Sequence, residues 1–298
     1  MDEWQQNRLA EVVLGDIQFD CPMGQYTTLR AGGRAEAVCF PCRLEMLQQI
    51  VSFLGMEKIP YMAVGRGSNL LIRESGFKGV IIILKGELAT IEREGMNLFS
   101  GAGLSIPELI SYCSANGLTG LEFLAGIPGS VGGAAAMNAG AFDKDAGSMI
   151  SHLFLITGTG EQLRLDQSEL KFQYRSMSVP EGAVIFKVCF ELDEITPEAV
   201  RTRATVYLKK RRQTQPLEYP NAGSVFKNPL NDFAGRLIEE AGLKGERVGG
   251  AMISQRHGNF IVNAGGASAN DILELMELAA DRVEALTGIR LEPEIKIV

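Results

Sequence analysis

Histidine is almost absent from this 298-residue sequence: there are two, His152 and His257, and neither clusters with a cysteine. The usual zinc-ligand spacings are therefore missing. Basic charge is also in deficit, with 29 Lys and Arg against 36 Asp and Glu and a formal net charge of −7. That excludes broad nucleic-acid binding, which needs a basic surface. An anionic ligand must instead be held locally, by glycine loops, helix N-termini and a few arginines. Long apolar runs are lacking too. The strongest, residues 80–84, is far too short to span a bilayer. The opening MDEWQQNRLAEVV has no basic stretch followed by an apolar one, so no secretory signal is expected. Cysteine is sparse and odd in number: Cys21, Cys39, Cys42, Cys113 and Cys189 suit a reducing compartment better than a disulfide framework. Cys39-Phe-Pro-Cys42 has redox-motif spacing, which alone is weak evidence for that chemistry.

What is present is apolar bulk, 46% of the chain, enough for two or three domains with their own cores. Residues 35–85 alternate strand and helix. Residues 35–40 read as a short strand. Leu44, Leu47, Ile50, Val51 and Leu54 share one helical face, which Gly55 is expected to close. Residues 61–64 and 80–84 read as strands. From 97 to 192 the pattern is mostly β, with strands at 97–101, 152–156, 161–165 and 183–192, and one helix at about 107–116 ended by Gly117. Thr196-Pro-Glu then opens a helix with an N-cap threonine and a proline at its first position, running into Lys209-Lys-Arg-Arg212. A second helix is expected over about 232–241. A third starts near Ser268 or Asn270 and buries Ile272, Leu273, Leu275, Met276, Leu278, Val283 and Leu286. In the last ten residues Ile289, Leu291, Ile295 and Ile297 alternate with charged neighbours, a strand pattern with an edge or bulge at Pro293.

Two glycine-rich segments carry the ligand signal. In Gly65-Arg-Gly-Ser-Asn69 a Rossmann fingerprint would need a third glycine where Leu70 stands, and Leu70-Leu-Ile72 looks like strand, so that reading fails. What remains is a sharp turn that either cradles a pyrophosphate on its backbone N–H groups or is simply a turn with a polar tip. Gly126-Ile-Pro-Gly-Ser-Val-Gly-Gly133 lacks the Gly-Lys-Ser/Thr of a P-loop. It continues into Ala134-Ala-Ala-Met-Asn-Ala-Gly140. Small residues at this density let two backbones pack closely, or let a flat, extended ligand lie against backbone. The length of the run favours the ligand.

Further segments follow in order: Tyr26-Thr-Thr-Leu-Arg-Ala-Gly-Gly33, Val64-Gly-Arg-Gly-Ser-Asn-Leu-Leu71, Gly120-Leu-Glu-Phe-Leu-Ala-Gly-Ile-Pro-Gly-Ser-Val-Gly-Gly133, Met137-Asn-Ala-Gly-Ala141 and Phe172-Gln-Tyr-Arg-Ser176. After them come Gln215-Pro216, Pro220-Asn-Ala-Gly-Ser-Val-Phe-Lys-Asn-Pro229, Ala234-Gly-Arg-Leu-Ile-Glu-Glu-Ala-Gly242, Asn259-Phe-Ile-Val-Asn263 and Leu291-Glu-Pro-Glu294. Any one is modest. As an ordered set over residues 26–294 they resemble the UDP-N-acetylenolpyruvoylglucosamine reductase family.

The resemblance implies an α+β protein with the PCMH or vanillyl-alcohol-oxidase-type FAD-binding fold. Two α/β FAD-binding subdomains, 1–80 and 81–195, would be followed by a C-terminal α/β substrate-binding domain, 196–298. It implies non-covalent FAD and NADPH as reductant. The implied reaction turns the enolpyruvyl ether of UDP-N-acetylenolpyruvoylglucosamine into UDP-N-acetylmuramate, for peptidoglycan synthesis in the cytoplasm. The chain stops soon after Leu291-Glu-Pro-Glu294 and leaves no room for the tyrosine-bearing loop of longer members, so it is similar to the shorter, type II subclass.

Carried onto this chain, the FAD contacts are Gly65, Arg66, Gly67, Ser68, Asn69 and Leu70, then Ala125, Gly126, Pro128, Gly129, Ser130, Gly132, Gly133, Asn138, Ala139 and Gly140. Arg175 suits a substrate carboxylate and the charge that builds beside it, although an arginine is by default a surface ion pair. Ser224 is by resemblance the proton donor; alone it reads as a turn serine after Gly223. Glu294 by resemblance joins Arg175 at the carboxylate, with Glu292 its confusable neighbour and Lys296 its alternative partner. Tyr174, Arg212, Gln215, Lys227, Asn228, His257 and Asn259 are the substrate-binding candidates, while His152 alternates with apolar residues and reads as structural. The expected partners are the UDP-sugar and NADPH, with no metal, nucleic acid or membrane, and a monomeric chain. Two readings compete. One is another flavoprotein of the same fold, an oxidase or dehydrogenase acting on an alcohol or sugar; many such oxidases tether flavin to histidine, yet no histidine precedes His152. The other is a catalytically dead flavin- or nucleotide-sugar-binding module, against which the joint presence of Arg175, Ser224 and Glu294 argues.

Overall fold

In the computed structural model, which describes residues 1–13 and 16–298, packing divides the chain into two units. The first comprises Met1–Asp20, Glu36–Arg66 and Lys78–Lys209; the second comprises Cys21–Ala35, Gly67–Phe77 and Lys210–Val298. Neither is continuous in sequence, and both mix helix and strand.

In the first unit, α1 (Glu3–Val12) starts on a capping box between Asp2 and Gln5. α2 (Leu44–Met56) buries Leu47, Ile50, Val51 and Leu54 completely, as their spacing dictates. Burying a side chain of that size contributes about 1.5–3 kcal/mol. The helix does not close at Gly55 as expected; it runs on to Met56, with Glu57 as its cap. Gly55 serves a close contact instead, since a Cβ there would stand 2.2 Å from the Gly158 carbonyl oxygen. α3 (Ile106–Asn116) begins on a Ser105–Glu108 capping box and ends at Gly117 in the left-handed conformation, φ 69°.

These helices accompany two sheets. A four-stranded sheet runs in the order Ile17–Pro22, Arg34–Cys39, Phe77–Ile82, Tyr61–Ala63, the last pair being parallel. A five-stranded antiparallel sheet runs in the order Gln162–Asp166, Ile150–Ile156, Val184–Glu191, Asn97–Gly101, Ile91–Glu94. Its register sets Leu153 opposite Leu165 and Leu155 opposite Leu163. The glycine-dense stretch is not wholly extended: α4 (Val131–Ala136) forms within it, capped by Ser130 and burying Val131, Ala134 and Ala135. α5 (Pro197–Thr214) opens with the Thr196 Oγ1 accepting from the Ala199 N–H at 3.3 Å, and the division between units falls inside it.

In the second unit, α6 (Ala234–Glu240) and α7 (Ala269–Thr287) accompany a three-stranded antiparallel sheet of Arg247–Val248, Ala251–Ile253 and Ile261–Asn263. A Ser268–Asp271 capping box starts α7 and Gly288, φ 74°, ends it. Its buried face holds Ile272, Leu275, Met276 and Val283, but also Ala269, Ala279 and Ala280, whose small side chains let the helix approach closely. Leu286 was expected inside and is 58% exposed, because the last turn has left the core; Leu273 and Leu278 are half-buried. The C-terminal segment keeps its alternation, with Leu291 and Ile295 buried, but forms a ladder at Lys296–Ile297 alone, parallel to Leu70–Leu71. Upstream a single bridge sets Phe226 opposite Pro293, a residue with no N–H to give a longer ladder.

Candidate active site

Within the first unit the two glycine-rich segments meet. A Cβ on Gly65 would stand 2.0 Å from the Ser130 Oγ. Ser130 is buried, and its Oγ accepts from the Gly133 N–H at 3.2 Å, capping α4. The Leu104 carbonyl accepts from Val131 at 2.9 Å and the Ala102 carbonyl from Gly132 at 2.8 Å, which pins the segment beside the end of strand Asn97–Gly101. Ala125 and Gly129 are buried, Gly126 half-buried and Pro128 exposed. Asn138, expected at the cofactor, spends its side-chain amide on the scaffold: Nδ2 donates to the Gln173 carbonyl at 3.1 Å and Oδ1 accepts from the Gly147 N–H at 2.9 Å.

That amide anchors the hairpin of Lys171–Gln173 and Ser176–Ser178, whose two-residue turn is Tyr174-Arg175. Arg175 adopts φ 59°, a left-handed conformation that costs a residue with a Cβ about 1–2 kcal/mol. Its Nη1 donates to the Gly140 carbonyl at 2.8 Å, and the guanidinium lies 5.1 Å from the Tyr174 ring centroid. Asp20, Arg30, Lys58 and Asp143 also adopt positive φ, so the conformation alone does not single out Arg175.

The second unit holds the rest of the glycine turn. Gly67 is buried at φ 59°, and a Cβ there would stand 2.2 Å from the Tyr26 carbonyl oxygen, so a side chain is excluded twice over. Its own carbonyl accepts from the Thr28 N–H at 3.3 Å and the Thr28 Oγ1 at 3.4 Å. Asn69 donates from Nδ2 to the Glu294 carbonyl at 3.2 Å, and its carbonyl accepts from the Lys296 N–H at 2.9 Å. Glu294 in turn donates its N–H to the Val225 carbonyl at 2.7 Å, one residue after Ser224. Backbone hydrogen bonds thus lace the glycine turn, the Ser224 motif and the C-terminal segment together. Glu294 and Ser224 are half-buried. Glu292 is exposed and pairs with Lys227 at 3.5 Å, a solvent-screened contact of little energy. Gly223, φ 77°, has nothing within 4 Å of where its Cβ would stand, so Ser224 follows an open turn.

Three substrate candidates have side-chain atoms engaged in hydrogen bonds within the fold. Asn228 Oδ1 accepts from the Ala234 N–H at 3.1 Å at the start of α6. Asn259, 3% exposed, gives both ends of its amide to the Phe226 backbone. His257 Nδ1 accepts from the Asn259 N–H at 3.2 Å while its ring packs on Phe260, 4.9 Å between centroids. Burial, with Lys244 nearby, holds the His257 pKa below the ordinary imidazole range, so the ring stays neutral. Arg212 is exposed and Gln215 half-buried; their carbonyls accept from Arg256 Nη1 at 3.4 and 3.0 Å. Arg256 is a residue the sequence reading missed, and nothing in Ser254-Gln-Arg-His257 singles it out. Asn263 was missed as well, although it ends a quoted motif. It donates to the Leu29 carbonyl at 3.0 Å and accepts from Gly265 and Ala267 at 3.1 and 3.0 Å.

The cysteines are free thiols. Burial, with Asp16 nearby, pushes Cys39 up to about 12, which disfavours a thiolate at that residue near neutral pH. Among the described residues no three His, Cys, Asp or Glu side chains gather as metal ligands, and no helix is long and apolar enough to cross a membrane.

The arrangement suits a flat, extended cofactor carrying a diphosphate. Residues 125–140 bear no charged side chain, and Gly132, Gly133 and Ala136 reach the surface. At Gly133 a Cβ would have only the Ser130 Oγ near it outside its own helix, at 3.3 Å, so its absence opens backbone to a ring system.

Comparison with known proteins agrees. Residues 35–166 match the family model described as FAD binding domain. With the crystal structure below, this defines an FAD-dependent oxidoreductase of α+β fold. Residues 215–298 match the model described as UDP-N-acetylenolpyruvoylglucosamine reductase, C-terminal domain. The chain is 43% identical, over 95% of its length and 92% of the relative's, to UDP-N-acetylenolpyruvoylglucosamine reductase 2 of Symbiobacterium thermophilum. It is 41% identical, over 98% and 95%, to the reductase of Syntrophus aciditrophicus. The crystal structure of the Thermus caldophilus reductase (MurB) superposes with a TM-score of 0.82 at 38% identity, covering 93% of this chain and 97% of that one. The chain belongs to the UDP-N-acetylenolpyruvoylglucosamine reductase family.

Proposed function

We propose that this chain, acting in the cytoplasm as a monomer, reduces the enolpyruvyl ether of UDP-N-acetylenolpyruvoylglucosamine to UDP-N-acetylmuramate for peptidoglycan synthesis, with NADPH as reductant. FAD, held without a covalent bond by the segments 65–70 and 125–140, supplies the two-electron chemistry that joins NADPH to the substrate alkene.

The side chains do the rest. As the alkene is reduced, negative charge builds on the carbon beside the carboxylate and spreads into it. Arg175 supplies a guanidinium for that carboxylate and for the developing charge. Its turn fixes the side chain before substrate arrives, so little reorganisation accompanies the reaction. Ser224 gives its hydroxyl proton to the carbon. A serine is a weak acid in water, but a carbanion is a strong enough base to take that proton. Glu294 is the third proposed catalytic residue, assigned to the substrate carboxylate by the family resemblance. Tyr174, Arg212, Gln215 and Lys227 are the proposed contacts for the sugar nucleotide, the two cations suiting its diphosphate.

The observation that supports this reading is the 2.7 Å backbone hydrogen bond from Glu294 to Val225, which sets residue 294 beside the residue that follows Ser224 within one packing unit. Anaerobic stopped-flow tests it: NADPH should bleach the flavin, and the UDP-sugar should restore its colour. Ser224→Ala should leave the first phase intact and slow the second by about 10²–10⁴-fold. Equal loss in both phases removes Ser224 from the chemistry.

A further inference from the structure

Residues 224–227 lie between two supports. On one side is the C-terminal segment, where Glu294 donates to the Val225 carbonyl at 2.7 Å and Lys227 donates to the Glu292 carbonyl at 2.8 Å. On the other side is Asn259. Its backbone carbonyl accepts from the Val225 N–H at 2.9 Å. Its Oδ1 accepts from the Phe226 N–H at 2.9 Å, and its Nδ2 donates to the Phe226 carbonyl at 2.7 Å. One side chain therefore pairs both backbone polar groups of Phe226, a residue only 2% exposed. Asn259 takes the place of a neighbouring strand where no ladder exists.

Upstream, Gly223 is open on its Cβ side, and its N–H donates to the Asn221 Oδ1 at 3.0 Å, so the clamp at Phe226 is the nearest support on the other flank of Ser224. A shift at Phe226 passes directly to Ser224, two residues earlier, and changes its register against Glu294. We propose that Asn259 is a positioning residue of the proton-transfer step, its amide setting the aim of the Ser224 hydroxyl. The inference rests on the functional reading above.

Asn259→Asp separates aim from mere support. A protonated carboxyl has one O–H donor and one carbonyl acceptor, the same pattern as the amide. An ionised carboxylate cannot donate and sets its charge against the Phe226 carbonyl. Burial favours the protonated form, so the clamp returns as pH falls. The titratable group beside it is His257, itself faced by Lys244 and Glu239, and parallel measurement of the unsubstituted chain removes its contribution. With FAD-loaded protein in anaerobic stopped-flow, Asn259→Asp should match the parent in flavin reduction by NADPH at every pH. Reoxidation by the UDP-sugar should be slower by about 10²-fold at alkaline pH, the order of loss from a ~1 Å misplacement, and should recover towards the parent in acid. Asn259→Ala should lose reoxidation at all pH values and show faster hydrogen exchange at the Phe226 amide in FAD-free protein. Where that variant fails to fold, Asn259→Gln keeps the amide on a longer arm and gives the same selective loss. Equal loss in both half-reactions, or an Asn259→Asp profile parallel to the parent's, overturns the proposal. Absence of substrate-dependent reoxidation in the parent itself overturns the functional reading instead.

Discussion

Gly65 offers a direct test of whether the two glycine-rich segments form one cradle. It does not adopt a positive φ, so alanine suits its backbone. The obstacle is Ser130, whose Oγ and Cβ would lie 2.0 and 2.9 Å from the new methyl group. Ser130 cannot swing away freely, because it is buried and caps α4 through Gly133 at 3.2 Å. Gly65→Ala should therefore cost about 1–3 kcal/mol in overpacking. Losing the cap adds about 1 kcal/mol. In a Ser130→Gly background both close contacts vanish, and the next atom, the Ser130 backbone nitrogen, is at an ordinary 3.7 Å. Glycine as the cap costs only about a few tenths of a kcal/mol. Gly65→Ala should there be neutral, or stabilise by about 0.4–1 kcal/mol through the unfolded chain. The double-mutant cycle then gives a coupling of at least about 2 kcal/mol, large even for residues in contact. Denaturant unfolding of the FAD-free variants measures it, and bound flavin per chain reports the cofactor: Gly65→Ala should lose FAD and the double variant should regain part of it. Additivity within about 0.5 kcal/mol would refute the packing argument.

Arg175→Asn exchanges arginine for a residue that tolerates the left-handed turn, so the lost bond to Gly140 and the relieved strain should nearly cancel, within about 1 kcal/mol. Substrate-driven flavin reoxidation should nonetheless slow by about 10²–10³-fold, and a variant with normal reoxidation sinks the assignment. For Asp271, hydrogen bonds from Ser268 and Gly250 hold the carboxyl below its usual range. A depressed folded pKa means its contribution is full above about pH 4 and is lost as pH falls through the folded value. The melting-temperature gap between the parent and Asp271→Asn should accordingly shrink on acidification; a gap that widens contradicts this. Among the thiols, Cys42 is half-buried and the other four are buried. A thiol reagent should titrate one group in the native protein and five after unfolding, and rapid native reaction at two or more sites would contradict the burial.

Helix ends were legible because caps are local chemistry. Thr196-Pro, Ser268 before Asp271, and the glycines at 117 and 288 all behave as their types require. Gly55 was misread because glycine does two jobs, ending helices and admitting a foreign carbonyl, and the second depends on Gly158, far away in sequence. α4 escaped notice because a Gly-Gly-Ala-Ala-Ala run carries no apolar period. The assignment of 21–35 and 67–77 to the second unit leaves no mark in composition. At the site, glycine density pointed to the backbone proposed to face the ligand, whereas the proposed pairing of Ser224 with Glu294 came from resemblance; no spacing rule links residues so distant in the chain.

The asparagines show where motif reading stops and packing must decide. A side-chain amide taken out of water must find partners, or its desolvation goes uncompensated. Asn138 and Asn259 sit in quoted motifs and read equally well as ligand contacts. Each is under a tenth exposed, and each has its Oδ1 and Nδ2 engaged with backbone. Such residues fix segments of the chain: Asn138 the Arg175 hairpin, Asn259 the segment that follows Ser224. Arg175, Ser224 and Glu294 are half-buried instead, a state in which a polar group keeps access to ligand without losing its geometry. The two fates predict different kinetics. Loss of a contact residue weakens one interaction with substrate or transition state, whereas loss of a buried amide displaces a whole segment and degrades every interaction that segment makes.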